Sequence, residues 1–60
     1  MNNERAVITV CRWLGVSKSM AESILAGGAV IEENTYTAKV VDDKVEIYKD
    51  NRIIHRIGHI

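Results

Sequence analysis

The chain has 60 residues, with eight basic and eight acidic side chains. This length supports one domain with one small core, and it leaves little room for a deep, water-excluding pocket. The balanced charge counts against strong non-specific nucleic-acid binding, which usually shows as a basic excess. The single cysteine, Cys11, excludes an internal disulfide. No apolar run is long enough for a signal peptide or a membrane span, so we expect a cytoplasmic protein.

The first predicted element is a helix over residues 4–14. Its apolar side chains stand at helical spacing, namely Val7, Ile8, Cys11 and Leu14. The β-branched residues of this segment favour a strand. A strand would leave Cys11 and Leu14 without a shared face, so we predict a helix.

A second helix is predicted over residues 18–26, after a break at Gly15 and Val16. Ser17 can cap it, because a serine hydroxyl accepts a hydrogen bond from an unpaired amide of the first turn. Gly27 and Gly28 can end it in the left-handed conformation, which has no Cβ clash in glycine. The link between the helices is so short that they must cross at an angle.

After Gly28 the apolar pattern changes to the alternation of β-strands. We predict strands over about residues 29–32, 36–41, 45–48 and 53–57. The connecting turns are predicted at Glu33-Asn34-Thr35, Asp42-Asp43 and Asp50-Asn51. The sequence therefore predicts an α+β fold, a single small domain with two N-terminal helices packed on an antiparallel sheet of three to four strands.

No catalytic or metal-binding constellation stands out. His55 and His59 fall on a strand and the tail, and no cysteine pair or carboxylate cluster completes a metal site. Cys11 lies on the apolar stripe of the first helix, where cysteine acts as a small buried hydrophobe. We expect no enzyme, no metal and no cofactor.

The strongest motif runs from Ser17 to Val30. Its matching positions are Ser17, Lys18, Ser19, Ala21, Ile24, Leu25, Gly28 and Val30. In this register the segment resembles the core of the S-four-type RNA-binding domain, the alpha-L motif of small-subunit ribosomal protein four. The resemblance extends over roughly residues 5–48. It implies a module that binds structured RNA through its helix pair, with basic side chains on the phosphate backbone.

The residues that would contact RNA follow from this resemblance. Lys18 stands at the family's basic position, and Arg12 lies on its first helix. We add Arg5 because it lies close to these residues, not because the motif includes it. Two features depart from the family's pattern: Glu22 stands where the family usually has Arg, and residues 32–35 replace its Val-Asn-Gly turn. Each lost phosphate contact weakens binding.

The same helix pair also resembles, more weakly, the helix-turn-helix of small phage regulators and excisionases. That interpretation places five residues in the DNA major groove, namely Ser17, Lys18, Ser19, Glu22 and Ser23. The following hairpin would then form a wing. The β-branched first helix and the lack of a third predicted helix count against it.

A third hypothesis is a small accessory protein that binds another protein. The last predicted strand, residues 53–57, has apolar residues on both faces. An open edge of this kind can recruit a protein partner or a second copy of the chain as a homodimer.

Trp13 is the single tryptophan of the chain. Its ring could serve as a stacking platform for a nucleobase. Because the chain has so few aromatic residues, we expect Trp13 to be used for packing instead.

Overall fold

Two helices and then four strands follow one another in the computed structural model, which describes residues 4–58. Helix α1 spans Glu4–Leu14 and helix α2 spans Lys18–Ala26. The strands are β1 Ala29–Ile31, β2 Asn34–Val41, β3 Lys44–Lys49 and β4 Arg52–Ile57. The predicted α+β fold is confirmed: the helices pack on a four-stranded antiparallel sheet. His59 lies outside the described residues.

Helix α1 is amphipathic, and burial decides its conformation. Ala6, Val7 and Val10 are buried on one side of the helix. Glu4 in the first turn and Arg12 in the last turn carry the charges that the helix dipole favours at those ends. The β-branched residues lower helix propensity by only about 0.7 kcal/mol each or less, which burial in the core offsets.

Helix α2 begins as the sequence predicts, with Ser17 as its cap. The Met20 amide donates a hydrogen bond to Ser17 Oγ at 3.2 Å. At the other end, the amides of Gly27 and Gly28 both donate to the Ser23 carbonyl, at 3.1 and 2.9 Å. Gly28 has a φ of 116°, whereas Gly27 has a φ of 179°, which any residue can adopt. The expectation that both glycines are left-handed is therefore wrong for Gly27.

The strands are joined in chain order by tight turns, and the sheet order is β1-β2-β3-β4. The paired residues that flank the first turn are Ile31 and Asn34, so the turn consists of Glu32 and Glu33. This corrects the predicted turn at residues 33–35. Glu32 and Glu33 have φ values of 50° and 75°, the positive values that two-residue hairpin turns of this kind require.

Contacts with a later turn explain why β2 begins early. The Thr35 amide donates to Asp50 Oδ1 at 2.9 Å, and the Asp50 amide donates to the Thr35 carbonyl at 2.8 Å. These bonds hold Thr35 in extended backbone instead of a turn. Because Asp50 is distant in sequence, local turn propensity does not reveal the interaction.

The core lies between the helix pair and one face of the sheet. Its buried residues are Ala6, Val7, Val10, Ala21, Ile24, Ala38, Val45 and Ile47. Cys11 and Val16 are half-buried and pack against it, as does Ile57 of the edge strand β4. The opposite face of the sheet has no helix over it within residues 4–58. Neither described helix is long and apolar enough to cross a membrane.

Candidate nucleic-acid interface

The corner between the two helices presents two of the predicted contact residues. Arg12 lies in the last turn of α1, and Lys18 is the first residue of α2. Between them, Gly15 has a φ of 66° and its amide donates to the Cys11 carbonyl at 2.8 Å, which turns the chain sharply. Arg12 and Lys18 are both exposed. We refer to residues 12–18 as the helix corner.

The start of α2 has the opposite charge to the one that would stabilise it. The amino end of a helix carries partial positive charge, and acidic residues in the first turn are favourable there. Helix α2 has no acidic residue in that turn and has Lys18 as its first residue. The lysine and the amide dipoles therefore add to a positive potential at the helix corner. Exposed Ser19 lies in the same turn.

Basic residues extend from the corner along α1. Arg5 and Arg12 are separated by two helical turns, so they lie on the same side of the helix, away from buried Val10. Both are exposed. Residues 5–21 contain three of the chain's basic residues and none of its acidic residues. The balanced charge of the whole chain thus hides a local excess of positive charge in the helix pair.

Glu22 belongs to a different surface. It lines an open groove of about 650 Å³ between α1, α2 and β2. The groove's charged lining residues are Glu4, Lys18, Glu22 and Lys39. Two carboxylates offset two ammonium groups, so this groove has no net attraction for phosphate. The structure therefore places Arg5, Arg12, Ser17, Lys18 and Ser19 on the exposed helices, with Lys18 at the border between the corner and the groove.

The open face of the sheet carries basic residues that are already paired with a carboxylate. Arg56 Nε donates to Glu46 Oε2 at 3.2 Å, and Lys39 Nζ lies 4.0 Å from Glu46 Oε1. Tyr48 donates its hydroxyl proton to the same Oε1 at 2.9 Å, and Lys39 Nζ lies 5.4 Å from the centre of the Tyr48 ring. These contacts engage the charge of Lys39 and Arg56 within the protein.

This arrangement makes the stability of the sheet depend on pH. The hydrogen bond from Tyr48 lowers the pKa of Glu46 below its ordinary value of 4.5; partial burial opposes the shift, and Arg56 and Lys39 reinforce it. A lowered pKa in the folded state means that the ionised carboxylate stabilises the fold above pH 4.5. That contribution is lost as the pH falls through the lower, folded-state pKa.

We expect Glu46→Gln to lower the melting temperature at neutral pH and to have progressively less effect in acid, because the wild-type carboxylate is then protonated. Thermal unfolding of both proteins between about pH 7 and about pH 3 measures this. A difference that stays constant over the whole range contradicts the assignment. Tyr48→Phe should raise the pKa of Glu46 in a side-chain NMR titration.

Trp13 does not have the role that the sequence suggested. Its side chain is 51% exposed and is not among the residues that pack on the core. Its ring lies against that of His55 on β4, with the ring centres 4.8 Å apart and the planes tilted by 52°. The expectation that Trp13 is used for core packing is therefore wrong. The signal in the sequence was its position next to Leu14, about 100° around the helix from the apolar stripe.

Comparisons with known proteins found no match. No family model, no curated protein and no solved structure is significantly similar to this chain. The likeness to the S-four-type domain therefore depends on the positions between Ser17 and Val30.

Proposed function

We propose that this protein is a non-enzymatic module that binds structured RNA through its helix pair. The helix corner would contact the phosphate backbone with Arg12, Lys18 and the first-turn amides of α2, and Arg5 would extend the contact along α1. The observation that carries the proposal is Lys18 at the amino end of α2 without an acidic residue in the first turn. This charge disfavours the isolated helix and favours a bound anion.

Two further features support phosphate contact at this place. Arg12 and Lys18 have no ion-pair partner among the described residues, unlike Arg56, which is paired with Glu46. Their charge is thus available to a ligand. The segment that bears them contains no carboxylate until Glu22, so a phosphate at the corner meets attraction from both helices.

Structured RNA is preferred over duplex DNA for a structural reason. A helix-turn-helix normally packs its two motif helices against a third helix, and residues 4–58 contain only two helices. In addition, Glu22 would enter the major groove with α2, close to phosphates on both sides. Binding of the backbone and shape of an A-form stem needs neither a third helix nor insertion of α2.

The test is a charge reversal at the corner with a matched control on the sheet. Arg12→Glu with Lys18→Glu should weaken binding to a fluorescent RNA hairpin by about tenfold or more at low salt, and should flatten the salt dependence by about one logarithmic unit per lost contact. The control, Lys44→Glu with Arg52→Glu, makes the same charge change at two exposed residues of the sheet. It should bind nearly as well as the wild type.

Three outcomes contradict the proposal. One is unchanged RNA affinity in the corner variant, provided that circular dichroism shows the fold intact. Another is an equal loss in both variants, which would assign the effect to total charge. Tighter binding to duplex DNA than to the RNA hairpin would instead favour the helix-turn-helix interpretation.

A further inference from the structure

The placement of Trp13 has no explanation in folding. A half-exposed indole leaves apolar area in water, and burying an aromatic side chain is among the most favourable contacts that a small core can make. The core of this chain instead uses only alanine, valine and isoleucine as its fully buried residues. An exposed aromatic ring of this kind is typical of a surface that meets a ligand.

His55 fixes the orientation of this ring. It is a half-buried residue of β4, and its imidazole lies 4.8 Å from the indole, centre to centre. The contact joins the end of α1 to the edge strand of the sheet. With one side held by His55, the indole is positioned with half of its surface still open to solvent.

The ring also lies beside the proposed phosphate contacts. Trp13 follows Arg12 directly in the last turn of α1 and precedes the sharp bend at Gly15. A nucleic acid whose backbone contacts Arg12 therefore has its bases within reach of the indole. Bases inside a continuous duplex are stacked on one another and cannot use such a ring, whereas an unpaired base can turn outwards and stack on it.

We propose that Trp13, positioned by His55, stacks on an unpaired base, and that the ligand is an RNA stem interrupted by a bulge or a loop. This inference rests on the proposed RNA-binding function and specifies the kind of RNA. The helix corner supplies affinity for the backbone, and Trp13 supplies the preference for an unpaired nucleotide. His55 acts as a positioning residue, because it holds the ring and does not itself need to touch the base.

The experiment compares two RNAs that differ by one nucleotide: a hairpin stem with a single-nucleotide bulge and the same stem without it. The wild type should prefer the bulged stem by about 5- to 150-fold, the range that one stacked base typically gives. Because Trp13 is the only tryptophan, its intrinsic fluorescence reports stacking directly. We expect strong quenching by the bulged stem and little by the continuous one.

Variants separate stacking from structure. Trp13→Leu keeps an apolar side chain and removes the aromatic ring, so it should bind both RNAs with the lower affinity of the continuous stem. His55→Ala should reduce the preference for the bulge without abolishing it. Tyr48→Leu, on the opposite face of the sheet, is the matched control and should keep the full preference.

The failures of the two proposals are distinguishable. If the wild type binds both stems equally without fluorescence quenching, or if Trp13→Leu keeps the preference, base stacking is excluded while backbone binding stands. If reversing Arg12 and Lys18 leaves the affinity for both stems unchanged, the proposed RNA-binding corner is excluded as well. The fluorescence result on the wild type does not depend on any variant folding correctly.

Discussion

Ile24→Ala is expected to leave much of the protein unfolded at 25 °C. Ile24 is fully buried between α2 and the sheet, and it is one of the largest side chains in the core. Truncating a buried isoleucine to alanine destabilises a protein by about 2–5 kcal/mol. A domain of this length has a total stability of only about 3–9 kcal/mol. Urea unfolding followed by circular dichroism measures the loss.

The matched control is Ile8→Ala on helix α1. Ile8 is the same residue type in a helix, but 47% of its surface is exposed. We expect it to change the free energy of unfolding by less than about 1 kcal/mol, since little apolar area leaves the core and alanine is the better helix former. Equal losses in both variants would show that Ile24 is not the central core residue that the structure describes.

The second large effect is expected for Gly28→Ala, and Gly27→Ala is its control. At Gly28 a Cβ atom would lie 2.9 Å from Thr37 Cγ2 and 3.2 Å from the Tyr36 carbonyl oxygen. The positive φ of this residue adds about 1–3 kcal/mol of strain for alanine. We expect a loss of at least about 2 kcal/mol in chemical unfolding, where backbone strain and the close contact combine.

Gly27 differs from its neighbour in both respects. Its backbone is extended, and a Cβ atom there would meet nothing within 4 Å. Gly27→Ala should therefore be neutral or stabilise the fold by up to about 1 kcal/mol, because alanine reduces the entropy of the unfolded chain. A larger loss at Gly27 than at Gly28 would contradict the described end of α2.

Sequence reasoning succeeds where a local signal decides the structure. Ser17 provides the cap of α2, and the apolar spacing of α1 survives its β-branched residues because the core rewards helical burial. The four strands follow from alternation and polar turns. Each of these features depends on residues close together in the chain, which is why a single sequence predicts them.

The remaining features depend on contacts between distant residues. The start of β2 is set by Asp50 and Thr35, and the need for glycine at position 28 comes from the approach of Tyr36 and Thr37. The partner of Trp13 is on β4. The groove brings Glu22 and Lys18 together with Glu4 of the other helix. None of these pairings has a pattern in the sequence, so the candidate site is less predictable than the fold.

The strand order has a consequence for how the protein folds. Every strand pairs with the strand that follows it in the chain, and no connection crosses over the sheet. Hairpins can then form one after another, each closing a short loop, so the search for native partners stays local. Such a topology favours rapid assembly without a populated intermediate, and it limits the time during which sticky strand edges are exposed to other chains.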